Sequence, residues 1–261
     1  MHEEIYPYLS SIEQQYNVKI VYACEVGSRA YGLASSKSDY DIRFIYVPHP
    51  EWYLSIDEQK DVIEKQIHPS LDLHGWEIRK ALRLFRKSNP SLLEWLHSPV
   101  KYRKGEWFTG PLLDLLPEMM SPVSVLYHYM NMARRNAKKA RAKGDAIALK
   151  EMLLILRPLL MCLWIKQYET FPALNYEDLL GKLNLPTNVH LSLERIRELK
   201  INGASKEAVP NQERLFRYIE DQLEEIEEYI AQLSYTRTAS TEKLNTIFRE
   251  TLYHKWGAFF D

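Results

Sequence analysis

The first hundred residues alternate short apolar runs with polar loops. Two runs, 18–24 and 41–47, are rich in Val, Ile, Tyr and Phe, which is typical of β-strands. A third and weaker strand is predicted at 70–74. In the run 75–85 the apolar residues fall roughly at helical spacing with basic residues between them, so this run predicts a helix.

A second short helix is predicted after Asn89-Pro90, which is expected to end the helix before it. Ser91 is expected to be its N-cap, because Glu94 stands at the offset of a capping box. Beyond residue 105 the pattern is almost entirely helical. Helices are predicted near 111–119, 122–143, 145–168, 176–182, 191–199, 205–233 and 240–256.

The change of pattern near Gly105 or Gly110 predicts a boundary between two domains. We expect a catalytic domain at 1–108 and a helical domain at 109–261. The fold class is therefore predicted as α+β, with a small mixed sheet and flanking helices followed by an all-helical C-terminal domain.

The composition indicates a folded chain that does not bind polyanions through its overall charge. Hydrophobic residues make up 46% of the 261 residues, and the net charge is −1. A nucleic-acid site would therefore need local clustering of charge. The segment 134–150 is a basic helical stripe that either contacts phosphates or faces solvent, and the acidic stretch 220–228 indicates a solvated helix face.

The chain carries no mark of export or membrane insertion. The first ten residues lack the basic and apolar regions of a signal peptide, and no run reaches the length of a membrane span. Cys24 and Cys162 lie far apart in apolar runs, which indicates buried, reduced thiols. We expect a cytoplasmic protein without a membrane partner.

Chemistry concentrates between residues 27 and 41. Asp39 and Asp41 are two residues apart at the mouth of a predicted strand, so both side chains point to one face, roughly 7 Å apart. Two such carboxylates repel each other unless a cation lies between them. Carboxylate oxygens are ligands that Mg²⁺ prefers, which predicts a magnesium site here.

Gly27 and Ser28 precede these acids, and ten residues separate Ser28 from Asp39. Glycine lets the backbone approach a polyphosphate, and the Ser28 hydroxyl can donate a hydrogen bond to it. Arg29 could add positive charge or lie on the surface. Tyr31 could stack on a base or pack a short helix.

The run Gly27-Ser-Arg-Ala-Tyr-Gly, followed by Asp39-x-Asp41, resembles the signature of the polymerase β-like nucleotidyltransferase superfamily. Three further stretches, 72–80, 89–99 and 150–158, resemble one branch of it, the RNA-ligase-associated (RlaP-like or YcgL-like) bacterial and phage family. The resemblance covers roughly residues 20–175. It implies the nucleotidyltransferase fold for the first domain.

The resemblance also implies an activity: transfer of a nucleoside monophosphate from a nucleoside triphosphate such as ATP to an acceptor hydroxyl, with release of pyrophosphate. Two Mg²⁺ ions are expected, with Mn²⁺ as an alternative. The superfamily places a third carboxylate on a neighbouring strand. Asp72 matches that position, and Glu77 is the reserve candidate. Which nucleotide and acceptor are used stays open, RNA being one candidate, and so does the oligomeric state.

The helical half is expected to supply cations to the triphosphate. Lys150 and Arg157 are seven residues apart, so they share one helix face. Arg157 lies within an apolar run, where a cation without an anionic partner would be costly. We expect that partner to be a phosphate or an acid.

Three other functions remain open from the sequence. The pocket could belong to a catalytically weak nucleotide or RNA sensor, the acceptor could be a partner protein that receives AMP, or the chain could be a helical interaction protein. The three clustered carboxylates favour catalysis over binding alone.

Overall fold

The computed structural model describes residues 2–142, 147–204, 209, 212–234 and 241–259. It forms two compact units that are interleaved along the chain. The first unit comprises residues 1–27, 39–120 and 237–261, and the second comprises 28–38 and 121–236. The domains predicted at 1–108 and 109–261 stay a prediction.

The first unit is built on a five-stranded mixed sheet. The three predicted strands form, with longer bounds than expected, together with two further strands that the pattern did not indicate. The strands are β1 (Val18–Val26), β2 (Tyr40–Pro48), β3 (Val62–His68), β4 (Leu71–Glu77) and β5 (Lys101–Arg103). Their order is β3-β4-β2-β1-β5, and β2 pairs with β4 in parallel while the other pairs are antiparallel.

One face of this sheet holds a hydrophobic core against the helix α1 (His2–Tyr16). Ile5, Leu9 and Ile12 recur at helical spacing and are buried in one cluster with Phe44 and Tyr102. This helix was not predicted, because Pro7 and several polar residues interrupt a weak pattern. Its apolar positions nevertheless place it on the sheet.

The helices α4 (Ile78–Arg86) and α5 (Pro90–Leu96) follow the sheet strands. The helix predicted at 75–85 begins later, since β4 continues through Glu77. The N-cap predicted at Ser91 is wrong: the Asn89 side chain caps α5 by accepting from the Leu92 N–H at 3.1 Å. Pro90 fits the first helical turn because its missing N–H needs no partner there.

The remaining helices of the first unit pack on β1, β2, α4 and one another. The helix α12 buries Leu244, Ile247 and Thr251, and its Lys243 forms an ion pair with Glu118 at 2.6 Å. The helices are α3 (Pro50–Tyr53), α6 (Glu106–Met119) and α12 (Thr241–Trp256), and a short 3₁₀ turn follows at Gly257–Phe259.

The second unit is helical, as the pattern predicts. The helices are α7 (Pro122–Arg141), α8 (Leu149–Tyr168), α9 (Tyr176–Lys182), α10 (Thr187–Ile201) and α11 (Gln212–Gln232). The unit also includes the segment 28–38, which begins within the short helix α2 (Gly27–Ala30). Parts of the predicted helices at 122–143, 145–168, 205–233 and 240–256 lie outside the described residues.

Opposite charges on α7 and α11 meet inside this unit. Arg134 pairs with Glu227 at 2.8 Å, and Arg141 pairs with Glu220 at 2.9 Å. The basic stripe and the acidic stretch therefore partly neutralise each other, so neither is simply a solvated face. Exposed pairs of this kind contribute little to stability but fix which helix faces meet.

The predicted fold class is confirmed: the chain is α+β, with a small mixed sheet, flanking helices and a helical C-terminal region. Cys24 and Cys162 are buried free thiols. None of the helices in the described part of the chain combines the length and the apolar character that a membrane span needs.

Candidate active site

Asp41 and Asp72 are direct neighbours across the parallel pair β2 and β4. Paired residues on adjacent strands point to the same face, about 5 Å apart at the backbone. Both carboxylates are part-exposed at one end of the sheet. Asp39 lies exposed, one residue before β2 begins. The pairing brings together two of the three predicted acids.

Arg43 lies between the two carboxylates. It shares the face of Asp41 because it is two residues further along β2. Its guanidinium is 2.8 Å from Asp72 Oδ2 and 3.5 Å from Asp41 Oδ1. Arg43 therefore balances the negative charge of both acids. The sequence signal for this role is the alternation Asp39-x-Asp41-x-Arg43, which places the cation on the same strand face as the acids.

Gly27 makes the close approach that its residue type predicts. Its φ of +67° lies in the left-handed region, and a Cβ built there would meet Asp41 Oδ2 at 2.5 Å. Any larger residue would be strained and would push this carboxylate aside. Glycine is therefore required next to Asp41.

Glu25 positions the backbone of this site. It is fully buried, and its carboxylate accepts hydrogen bonds from the Asp41 N–H at 2.7 Å and from the Tyr102 hydroxyl. The Ser98 hydroxyl donates to the Glu25 carbonyl at 2.6 Å. A lone acid in the apolar strand 18–26 was the available signal, because a buried carboxylate requires such partners.

Within the described ranges, no group of three or more His, Cys, Asp or Glu side chains is arranged to hold a metal ion. The pair Asp41 and Asp72 still suits Mg²⁺ chemically, because that ion needs only one or two carboxylates and takes its other ligands from water and phosphate. The Asp41 side chain is 37% exposed, so its carboxylate is accessible to such a ligand.

The segment 28–38 folds as part of the second unit. The Leu33 N–H donates to the Ser28 carbonyl at 2.8 Å, and the Arg29 guanidinium donates to the Ser38 carbonyl at 2.7 Å. Arg29 thus joins the two ends of the segment 28–38 by a hydrogen bond, which is a structural role for this residue.

Tyr31 packs within the helical unit. The Arg157 guanidinium lies over its ring at 3.4 Å, and the Tyr31 carbonyl accepts from the Tyr176 N–H at 2.9 Å. A cation over an aromatic face is stabilised by the ring electrons. Lys150 is exposed in the first turn of α8, two turns from Arg157.

Glu77, the reserve candidate for the third acid, serves elsewhere. It stands at the opposite end of β4 from Asp72, where its register partner is Tyr46. Its buried carboxylate caps α4 by accepting from the N–H groups of Arg79 and Lys80 at 2.8 and 3.0 Å. The geometry therefore favours Asp72 over Glu77 as a neighbour of Asp41.

Comparison with known proteins agrees with the resemblance drawn from the motifs. Residues 1–250 match the family model RlaP, described as "RNA repair pathway DNA polymerase beta family". The chain is also 41% identical over 256 residues to the Bacillus subtilis (strain 168) protein named "Uncharacterized protein YcgL", covering 98% of both chains.

These matches define the class first: the chain is a polymerase β-like protein, a class that suggests nucleotidyltransferase activity. Within that class it belongs to the RlaP family, together with the Bacillus subtilis relative. The predicted resemblance is thereby confirmed.

Proposed function

We propose that the protein is a magnesium-dependent nucleotidyltransferase. It moves a nucleoside monophosphate from a nucleoside triphosphate to an acceptor hydroxyl and releases pyrophosphate. The observation that carries this proposal is the register of Asp41 beside Asp72, at the end of the sheet where Gly27 approaches Asp41. Membership of the polymerase β-like class supports the same reaction.

Three carboxylates hold the metal in this proposal: Asp39, Asp41 and Asp72. Bound Mg²⁺, as two ions, or Mn²⁺ in its place, supplies charge neutralisation at the phosphates and a lower pKa for the acceptor hydroxyl. Glu25 fixes the backbone of Asp41, and Arg43 orients Asp72 through the 2.8 Å contact. Arg43 supplies positive charge beside the carboxylates of Asp41 and Asp72.

The triphosphate is held by groups that precede and follow the acids. Gly27 leaves room for it, and Ser28 donates a hydroxyl hydrogen bond to it. Arg29, Lys150 and Arg157 supply positive charge. RNA is the acceptor that the family description "RNA repair pathway" favours, and ATP is the first nucleotide to test.

The test replaces Asp41 by Asn and measures Mg²⁺-dependent pyrophosphate release with each of the four nucleoside triphosphates. Loss of a metal-bound carboxylate should lower the rate by about a thousandfold or more, since metal ions supply several kcal/mol to such transition states. The melting temperature should stay nearly unchanged, because Asp41 is part-exposed and its backbone bond to Glu25 is kept.

The matched control is Asp57→Asn, an exposed acid of the same unit, which should keep full activity. Full Mg²⁺-dependent activity in Asp41→Asn would refute the assignment. Labelled nucleotide that appears on protein instead of RNA would select AMP transfer to a partner. Nucleotide binding without pyrophosphate release from any nucleotide would select a sensor.

A further inference from the structure

A cavity of about 580 Å³ opens at the edge of the sheet formed by β5. Its walls include His97, Lys101, Lys104, Glu106 and Thr109. All of them belong to the same compact unit as Asp41 and Asp72. None of these five residues has a part in the site described above.

The cavity presents positive charge. Lys101 and Lys104 form no ion pair with any acid in the described part of the chain, and they outnumber the single acid of the lining, Glu106, which is exposed. Burial lowers the pKa of His97, and the Lys101 ammonium lowers it further. His97 therefore stays neutral at pH 7 with its Nδ1–H donated to the Leu93 carbonyl at 2.8 Å, so it adds no charge to the cavity.

The cavity is connected to the candidate active site through the backbone. The Glu25 N–H donates to the Val100 carbonyl of the cavity wall at 2.9 Å, and the Glu25 carboxylate accepts from the Asp41 N–H at 2.7 Å. Glu25 is therefore hydrogen-bonded both to the cavity wall and to Asp41.

Lys101 also lies close to β2, the strand that carries Asp41. It pairs with Cys24 on β1, which pairs with Arg43 on β2. Burial raises the pKa of Cys24 to about 12, while Arg43 and Lys101 both oppose that rise, so both cations lie near this thiol. Two strand spacings and two residues separate Lys101 from Asp41, about 12 Å between Cα atoms.

We propose that this cavity binds a phosphate group of the RNA acceptor strand, close to the hydroxyl that reacts. Two lysine ammonium groups without acid partners fit a phosphodiester, since lysine binds phosphate as a point charge. The separation of about 12 Å between the Cα atoms of Lys101 and Asp41 places this phosphate near the acids of the candidate active site. This inference rests on the proposed function, because it assigns the acceptor of that reaction.

The test uses the full chain and a short single-stranded oligouridylate, with binding measured by calorimetry in the absence of nucleotide and metal. The double variant Lys101→Gln/Lys104→Gln should weaken binding about tenfold, the effect of losing roughly 1.4 kcal/mol. The slope of log affinity against log salt should fall by about 0.7 in magnitude, because one phosphate contact is lost from a single strand.

Charge and folding are controlled by two further variants. Lys60→Gln/Lys87→Gln removes two exposed lysines of the same unit and should bind within about twofold of the original protein. Lys101→Arg/Lys104→Arg keeps the charge and should retain binding even if the Gln variant melts earlier. Equal weakening by both pairs of Gln substitutions would overturn the assignment.

Two other ligands distinguish the source of the anion. Inorganic phosphate that binds this cavity while the oligouridylate does not would overturn an acceptor role, and so would an acidic peptide that binds in place of the oligonucleotide. Asp41→Asn should bind the oligouridylate normally. If pyrophosphate release fails for every nucleotide while the Lys101/Lys104 dependence holds, the proposed function is refuted and the phosphate site remains.

Discussion

The carboxylate of Glu77 is buried, and three donors surround it. The Tyr53 hydroxyl donates at 2.7 Å, and the N–H groups of Arg79 and Lys80 donate at the start of α4. Burial raises the pKa of Glu77, and these hydrogen bonds lower it by less. The folded protein therefore holds the proton of this group more tightly than the unfolded chain.

This raised pKa gives a prediction for Glu77→Gln. The stabilisation linked to the Glu77 proton is fully present below the unfolded value of 4.5, and it is lost as pH rises through the raised pKa of the folded state. The free energy of unfolding of the original protein, relative to Glu77→Gln, should therefore fall as pH rises above that value. Urea unfolding of both proteins from pH 5 to 8 measures this difference; a difference that grows with pH would contradict it.

For single residues, the candidate acids are easier to predict from the sequence than the residues that hold them in place. Asp39 and Asp41 could be found because two carboxylates on one strand face need a cation. The partners Glu25, Arg43 and Tyr102 come from three different strands. Their proximity depends on the pairing of those strands, which a single run of residues does not contain.

The strand β4 tolerates little change where it passes β2. A Cβ added at Gly75 would meet the buried ring of Phe44 at 2.1 Å, and that ring is part of the core beneath the sheet. Gly75 therefore allows the two strands to pack at this point.

Gly75→Ala should lower the free energy of unfolding by about 1–3 kcal/mol, the usual cost of overpacking a core. The control is Gly110→Ala in α6, where an added Cβ meets nothing within 4 Å and the better helix former should stabilise by up to about 1 kcal/mol. Thermal unfolding of the two variants compares them directly. A stable Gly75→Ala protein would show that Phe44 moves aside freely.

Among the elements, the strong strands and most helices were predictable, and the weak ones were not. The strand β3 has three consecutive polar residues at 64–66 and therefore lacks an apolar–polar alternation, and β5 has three residues, so neither stands out from a loop. The parallel pairing of β2 with β4 was not predictable either, because it depends on a crossover through α3 and β3.

The two compact units do not follow the order of the chain. Residues 237–261 return to the unit that holds the sheet, where α12 packs beside α4 and α6. The apolar pattern of a helix is the same whether the helix packs on a sheet or on other helices. For this reason the sequence pattern placed α12 in the predicted helical domain. The segment 28–38 leaves the sheet unit between Gly27 and Asp39 in the same way.

This arrangement predicts the behaviour of fragments. A fragment of residues 1–120 should unfold at a lower temperature than the full chain and should bind a hydrophobic dye, because the removal of α12 exposes apolar surface. Fusion of 237–261 to it through a flexible Gly/Ser linker should restore part of the cooperative transition. Circular dichroism melting compares the fragment with the fusion protein, and equal melting temperatures would favour a boundary at 108 instead.

The parallel register of β2 and β4 has a consequence for natural and engineered variation. Side chains alternate between faces, so a slip of one residue would turn Asp72 into the core and bring Leu71 or Leu73 beside Asp41. A variant could thus keep every acid and still lose transfer. Screens for inactive proteins should therefore recover substitutions along β3 and β4 that never touch a nucleotide, and second-site suppressors of them should restore the strand pairing rather than the chemistry.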